Sequence, residues 1–358
     1  MSSPRENLLS TLRHQGYETP PLFFQLCPAL VERFRNEVGG ETSYQDHFGF
    51  SFQYVAKPVL PGQAQVDWPR FYPDGFAPGT AFDVWGIGRE PGGPAAKHMT
   101  RMLHPLRHFK TLEQVQAYPY PDFATADYSH IPAQIEMLHR RGIAAAFVMS
   151  DMTWEIAWYL RGMETLMMEM MTDDPIATWL LDKTTEQAII RARRYCAMGV
   201  DLFHVGDDVG MQQAMMMSAE FWRQWLKPRL AQVIRAAKEA NPEVIFSYHS
   251  CGFVTPIIED LIEIGVEVLN PVQPECMDFA EIHAKFGDRL SFWGTVGTQT
   301  TMPFGSPAEV RRIVHRNLDI AGKKGGLLCT PTHLLEPEVP WENILAYVQA
   351  VREYRPQS

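Results

Sequence analysis

The sequence lacks the features of a membrane protein and of a nucleic-acid-binding protein. Its 358 residues contain no uncharged apolar run of about 18 residues, the minimum for a membrane-spanning helix. Lys and Arg (32) are outnumbered by Asp and Glu (42), which gives a net charge of -10 with no basic cluster. Nucleic-acid-binding proteins depend on such clusters to neutralise phosphates. We therefore expect neither a membrane nor a nucleic acid as a partner.

Cysteine is also scarce. Five cysteines, an odd number in a chain of this length, argue against a disulfide framework and for reduced thiols or metal ligands. Residues 1–16 are polar and helical in pattern, without the apolar segment of a secretion signal. These observations together predict a cytoplasmic protein.

The order of the chain indicates an α/β fold. Residues 1–125 are rich in Pro, Gly and aromatics, a composition typical of loops and short strands. Beyond them, helical stretches alternate with short apolar segments that we expect to be parallel strands. The expected strands are 143–149, 201–206, 244–248, 266–271, 290–294 and 325–329. Six or more such units favour a closed (β/α)₈ TIM barrel. We predict one domain, 1–358, in which residues 1–125 form a loop-rich extension capping the barrel and residues 126–358 supply its main units.

Helix boundary signals support this reading. Ser306, Pro307 and Glu309 form a capping box with proline at the first helical position, and the helix is expected to run to Gly322. A second helix is expected to begin after Ser218, and Pro228 should kink or split it.

The most specific chemical motif is FSYHSCG, residues 246–252. His249 and Cys251 lie two residues apart at the end of an expected strand, so both side chains should leave the same face. An imidazole and a thiolate in that arrangement suit a tetrahedral zinc ion, although a small core cysteine beside a hydrogen-bonded histidine is the alternative. Cys329 ends the last expected strand, which a closed barrel returns to the same neighbourhood. The sequence thus predicts zinc held by His249, Cys251 and Cys329 at the barrel mouth.

The fourth zinc position stays open at this point. Cys276 and Gln273 follow the next expected strand and are both candidates, with water or substrate as the remaining possibility. A catalytic zinc ion needs a position that the protein does not fill. Gln273 is also a candidate for contact with substrate.

Other polar residues follow the expected strands. Asp207 and Asp208 are catalytic candidates in HVGDDVG, although paired acids in such loops also cap helices. Gln212 lies close behind them and could hydrogen-bond substrate.

Three further candidates lie near strand ends. Glu155 (catalytic) and Trp154 (substrate-binding) follow the strand at 143–149, where packing at the rim is the alternative role. His333, four residues after Cys329, is a candidate acid or base, and a surface histidine is the alternative.

Nearly the whole chain resembles the uroporphyrinogen decarboxylase superfamily, whose fold is a (β/α)₈ barrel. The resemblance is carried by RENLLSTLRHQG, WYLRGMETLMMEMMTDDP, GVDLFHVGDDVGMQQAMMMSAEFWRQWLKPRL, YHSCGFVTPIIEDLIEIGVEVLNPVQ, MDFAEIHAKFGDRLSFWGTVGTQ and PEVPWENILAY. The decarboxylases of this superfamily carry an arginine-rich segment near the N-terminus that binds the carboxylates of the tetrapyrrole. This chain has QLCPALVERF there, which argues against porphyrinogen decarboxylation.

The pattern H-x-C…C is similar to that of the superfamily's zinc methyltransferases, and His249, Cys251 and Cys329 match it position by position. Cobalamin-independent methionine synthase has a similar zinc barrel, with a carboxylate ligand about where Gln273 stands. The resemblance implies a zinc-dependent methyltransferase that exchanges a methyl group between a corrinoid protein and a small thiol or a methoxy or otherwise methylated small molecule.

The corrinoid is expected on a partner protein, because this chain has no DxHxxG segment. Two alternatives remain at this point. One is a lyase, related to the decarboxylase, that acts on another carboxylated substrate. The other is a non-catalytic binding protein stabilised by a closed zinc site.

Overall fold

The computed structural model describes residues 2–92, 100–150 and 152–356. The strands are β1 Phe52–Tyr54, β2 Ala81–Phe82, β3 Gly88–Glu90, β4 Arg101–Leu103, β5 Ala144–Met149, β6 Leu202–Gly206, β7 Ile245–His249, β8 Val268–Asn270, β9 Ser291–Trp293 and β10 Leu327–Leu328.

The helices in the first half of the chain are α1 Pro4–Leu12, α2 Pro28–Val38, α3 Tyr44–Phe48, α4 Leu112–Gln116, α5 Ile131–Arg140, α6 Trp154–Arg161, α7 Met163–Met171 and α8 Pro175–Ala197. Those in the second half are α9 Ala219–Trp225, α10 Lys227–Ala240, α11 Ile258–Glu263, α12 Phe279–Phe286, α13 Thr301–Phe304, α14 Pro307–Ala321 and α15 Trp341–Glu353. Short 3₁₀ turns lie at Gln63–Gln65, Trp68–Phe71 and Thr255–Ile257.

The centre of the fold is a curled parallel sheet of seven strands in the described part of the chain, in the order β1-β5-β6-β7-β8-β9-β10. Helices surround it, because each crossover between parallel strands packs its apolar stripe onto the outer face of the sheet. The strands themselves are almost wholly buried, as Ala144, Phe203 and Phe246 show. This is the TIM-barrel-like α/β fold that the sequence predicts.

An extended segment at residues 22–26 lies between the two edges of this sheet. The Leu22 carbonyl accepts a hydrogen bond from Ser51 N, just before β1, and Leu26 bridges in parallel to Leu335, which follows β10. The N-terminal region therefore contributes to the barrel wall, through β1 and this segment, as well as covering it.

A small antiparallel sheet, β2-β3-β4, also belongs to the N-terminal extension. Arg89 of β3 lines the cavity at the barrel mouth, so this sheet covers one side of that cavity. The N-terminal extension thus contributes to the wall of the cavity at the barrel mouth.

The predicted strands and helix boundaries agree closely with the structure. All six expected strands are present with ends within two residues of the prediction, and Ser306 Oγ accepts from Glu309 N to cap α14. The helix with Pro228 is split, since α9 ends at Trp225 and α10 begins at Lys227. Strand β1 was not predicted. Within the described ranges, no helix is long and apolar enough to cross a membrane.

Candidate metal centre and pocket

A cavity of about 550 Å³ lies at the carboxyl ends of the barrel strands. The cross-strand register explains which side chains reach it: Gly206 pairs with His249, and His249 pairs with Asn270, so the last residues of β6, β7 and β8 stand at one level. The lining consists of Phe23, Phe24, Gln25, Tyr54, Arg89, Val148, Ser150, Glu155, Tyr159, His204, Gly206, Asp208, His249, Asn270, Trp293, Pro331, Thr332, His333 and Leu334. In barrels of this kind, the face formed by these strand ends carries the active site.

Three ligand-type side chains lie together beside this cavity, and two of them, Asp208 and His249, line it. Atoms of Asp208, His249 and Cys251 all lie within 4.8 Å of one another, and no other such group of His, Cys, Asp and Glu occurs in the described residues. Nε2 of His249 is 3.5 Å from Sγ of Cys251 and 3.4 Å from Oδ1 of Asp208. Zinc bonds of roughly 2.0–2.3 Å in a tetrahedron imply ligand separations of about 3.3–3.6 Å. The residues present therefore fit a zinc ion.

Asn270 fixes the tautomer of His249. Its Nδ2 donates to the Trp293 carbonyl at 2.7 Å, so its Oδ1 is left as an acceptor for the Nδ1–H of His249. The lone pair of His249 is then on Nε2, the atom that faces Asp208 and Cys251. Hydrogen bonding of the second ring nitrogen is how proteins orient histidine ligands of metals.

The loops after β6 and β7 pack closely enough to bring Asp208 beside Cys251. Cys251 N donates to Asp208 Oδ1 at 2.8 Å. Gly252 has φ +82°, and a Cβ there would lie 2.6 Å from the backbone of Gly210. Only glycine permits this approach and this conformation. Gln273 Oε1 accepts from Gly252 N at 3.1 Å and holds the same loop from the other side.

The local electrostatics favour a cation at this point. Burial raises the pKa of the Cys251 thiol, and the carboxylates of Asp208 and Glu155 raise it further. A thiol in this environment stays protonated by itself, whereas a divalent cation bound beside it reverses the balance and favours the thiolate. Nearby His204 is kept neutral because burial lowers its pKa well below the usual value.

The structure does not bring Cys329 to this group. Leu328 pairs with Trp293 on the side facing the cavity, so Cys329, the next residue, faces outward. Its Sγ lies 3.7 Å from Oγ1 of Thr295 and 3.9 Å from the carbonyl of Val314 in α14. Burial raises the pKa of this thiol to about 12. The third ligand-type side chain of the group is Asp208, where the sequence indicates Cys329.

Asp207 lies beneath α6. Its carboxylate accepts hydrogen bonds from the backbone N–H of Thr153, Trp154 and Glu155 at 3.3, 3.0 and 2.9 Å, and the residue is 3% exposed. Burial raises the pKa of Asp207 to about 7, although the hydrogen bonds from the three N–H groups act to lower it. This is the helix-capping alternative noted for the paired acids, and it places Asp207 outside the cavity lining.

The candidates for a fourth ligand lie on the loop after β8. The Gln273 amide is engaged with the Gly252 N–H. Cys276 is half-buried and close enough to Cys251 to contribute to raising the pKa of that thiol, yet it lies outside the group of Asp208, His249 and Cys251.

Gln212, a candidate for contact with substrate, is exposed and donates to Gln299 Oε1 at 3.2 Å.

The other candidates divide between the cavity and the core. Glu155 lines the cavity, and its Oε1 accepts from the Tyr159 hydroxyl at 2.6 Å. His333 also lines the cavity, with its ring centre 6.5 Å from that of His249. Trp154 is fully buried and does not line the cavity.

Several lining residues were missed by the sequence analysis: Arg89, Tyr54, Tyr159, His204, Asn270 and Trp293. Asn270 had a usable signal, because a polar residue that ends an apolar strand marks the functional end of a barrel strand. Arg89 had none, because β3 is a three-residue strand within an irregular region.

Comparison with known proteins supports the resemblance drawn from the sequence. Residues 101–354 match the family described as uroporphyrinogen decarboxylase (URO-D). The chain is 24% identical over 255 residues to uroporphyrinogen decarboxylase of Pseudomonas fluorescens (strain Pf0-1), covering 69% of this chain and 70% of that protein. The same values hold for the enzyme of Pseudomonas syringae pv. tomato.

Among solved structures, the fold is similar to a methyltransferase from Methanosarcina mazei. The TM-score is 0.68 at 17% identity, with 99% of both chains covered. This likeness extends over the whole barrel and its N-terminal extension.

Proposed function

Because this chain belongs to the uroporphyrinogen decarboxylase family, we propose that it is a zinc-dependent methyltransferase of that family. The observation that carries the proposal is the group Asp208, His249 and Cys251, whose ligand atoms lie within 4.8 Å of one another beside a cavity that Asp208 and His249 line. The name of the similar Methanosarcina mazei structure, a methyltransferase, agrees with it. In this proposal the chain exchanges a methyl group between a corrinoid protein and a small thiol or methylated molecule.

Asp208, His249 and Cys251 would hold the ion, and a set of three protein ligands leaves one position for a substrate atom. When bound, zinc supplies Lewis acidity that lowers the pKa of a ligand thiol or polarises an oxygen. Asn270 orients His249, and Asp208 also holds the backbone of Cys251. In this proposal Asp208 therefore both binds the metal and fixes the loop that presents the thiolate.

Three further residues have proposed proton-handling roles at the cavity. Glu155 and Tyr159 form a hydrogen-bonded pair on its wall, which can take up or return a proton at the phenol oxygen. His333 lies at the mouth near His249 and is the candidate acid or base there. His204 is neutral and fills the cavity floor beside Trp293, with ring centres 4.5 Å apart.

A closed structural zinc site fits the geometry less well. The side chains of His249 and Asp208 are 19% and 32% exposed, and both line the cavity. Structural zinc sites are closed to solvent by four protein ligands. Exposure of the ligands to a cavity is the arrangement expected of a catalytic site.

The second candidate function is that of a lyase acting on a carboxylated substrate. It is favoured by Arg89, which lines the cavity. Arg89 is the sole arginine or lysine among the described lining residues, however, whereas a porphyrinogen carries many carboxylates. This candidate is therefore limited to substrates with few carboxylates.

The test compares metal content and two activities in matched variants. We expect about one zinc per chain in the wild type and in Cys196→Ala, which removes a buried thiol of α8, and loss of zinc in Cys251→Ser and His249→Gln. Demethylation of methylcobalamin in the presence of thiols should follow the zinc content, and release of CO₂ from carboxylated compounds reports on the lyase alternative. Full zinc occupancy in Cys251→Ser, or equal methyl transfer by zinc-free protein, would reject the proposal.

A further inference from the structure

One cationic side chain at the cavity makes no ion pair with any residue that the structure describes. Arg89 is half-buried on β3 and forms no hydrogen bond or ion pair with any residue in the described ranges. Its guanidinium lies over the ring of Tyr159, 5.7 Å from the ring centre. The neighbouring Glu90 faces the other way and pairs with Arg101 at 3.4 Å. The small sheet therefore directs at the cavity one positive charge that is not engaged in an ion pair within the described ranges.

A half-buried charge of this kind costs free energy unless a ligand compensates it. Arginine presents a planar set of donors that matches a carboxylate in two parallel hydrogen bonds. The cation–π contact with Tyr159 uses the ring face and none of the guanidinium N–H donors, so these remain for a ligand. These features favour an anionic group of the ligand at Arg89.

Another part of the wall is aromatic, and its rings pack against one another. The ring of Phe23 stands edge-on to Trp293 at 5.5 Å and 82°, and to Tyr54 at 5.9 Å and 87°. Phe23 also stacks on Phe52 at 4.2 Å, which anchors it to β1. Rings fixed in this way form an apolar surface suited to a flat ligand, at little entropic cost on binding.

We propose that Arg89 binds the carboxylate of a small aromatic acid whose ring packs against Phe23, Tyr54 and Trp293. The cavity of about 550 Å³ is within the usual range for a small-molecule site. That this acid is the substrate whose methyl chemistry takes place at Asp208, His249 and Cys251 rests on the proposed function. Binding of the acid at Arg89 does not depend on the proposed function.

Binding is tested with benzoate, benzyl alcohol and ethanesulfonate on zinc-loaded protein, followed by calorimetry. We expect the wild type to bind benzoate in preference to both other compounds. Arg89→Gln should lower benzoate affinity about 10- to 100-fold and leave benzyl alcohol unchanged, since only the charged hydrogen bonds are lost. Arg89→Lys should bind benzoate with an affinity between those of the wild type and Arg89→Gln. Arg101→Gln, on the adjacent strand and outside this cavity, is the matched control and should behave as the wild type.

The inference is overturned if the wild type does not bind benzoate, if Arg89→Gln and Arg89→Lys both bind it as the wild type does, or if ethanesulfonate binds as tightly as benzoate. The last outcome would show an anion site that does not use the aromatic wall. Repeating the titration with Cys251→Ser separates the two proposals. Benzoate binding that persists without zinc supports the Arg89 site independently of the methyl-transfer function.

Discussion

The carboxylate of Asp207 is predicted to act by holding α6 in place, and Asp207→Ala tests this. The side chain is buried and accepts hydrogen bonds from three backbone N–H groups, those of Thr153, Trp154 and Glu155. Alanine would leave these donors at the first turn of the helix without an acceptor. Since Glu155 lines the cavity, a shift of this helix would also move part of the site.

The size of the effect follows from these contacts. Each unsatisfied buried donor costs about 1–3 kcal/mol. Part of this is offset because the variant no longer buries a carboxyl group, so we expect a net loss of about 3 kcal/mol. With an unfolding entropy of about 2.1 cal/mol/K per residue over 358 residues, this corresponds to a fall in Tm of roughly 4 °C.

The assay is thermal unfolding of zinc-loaded protein, with zinc content and activity measured on the same samples. Asp74→Ala is the control, because Asp74 is 71% exposed and its partner His108 is also exposed. It should shift Tm by less than about 1 °C. An unchanged Tm in Asp207→Ala together with lost activity would refute the reasoning and indicate that Asp207 acts on the substrate.

Three other predictions follow from the same structure. Asn270→Ala removes the acceptor for His249 Nδ1, so zinc affinity in a chelator competition should fall about 10- to 100-fold; unchanged affinity would contradict the assigned tautomer. Gly252→Ala should lower both Tm and zinc content, because a Cβ would lie 2.6 Å from the backbone of Gly210 and φ is +82°; a fully stable, zinc-replete variant would contradict the close loop packing. Burial lowers the pKa of His14, so its contribution to stability is present above the unfolded pKa of about 6.5 and is lost as pH falls below it. The drop in Tm between neutral and mildly acidic pH should therefore be smaller in His14→Asn, which tolerates the left-handed backbone at this position, and an identical drop would contradict this.

The part of the metal site that depends on local geometry was predictable from the sequence. Side chains two residues apart at the end of a strand leave the same face, so His249 and Cys251 could be paired without knowledge of the rest of the fold. The structure places Nε2 and Sγ of these residues 3.5 Å apart. The six strands identified by their apolar pattern are likewise present.

The third candidate ligand could not be identified from the sequence, because its position depends on strand register and on loop packing. Strand β10 comprises Leu327 and Leu328 only, too short to show which side of the sheet each residue faces. The register with β9 decides this and directs Cys329 toward α14. Asp208 enters the group through the contact between two loops, which rests on the close approach of Gly210 and Gly252.

The cavity wall contributed by the N-terminal region could not be predicted either. Arg89 lies in a stretch without periodicity, and its position depends on how the small sheet packs over the barrel mouth. Strand β1 was missed for a related reason, since three residues give too little alternation to distinguish a strand from a loop.

The central claim is that zinc is bound by Asp208, His249 and Cys251, and X-ray absorption at the zinc edge tests it most directly. The account predicts one sulfur ligand, with nitrogen and oxygen in the other positions, and an identical spectrum for Cys329→Ala. Two sulfur ligands in the wild type, with one lost in Cys329→Ala, would contradict it and restore the ligand set suggested by the sequence.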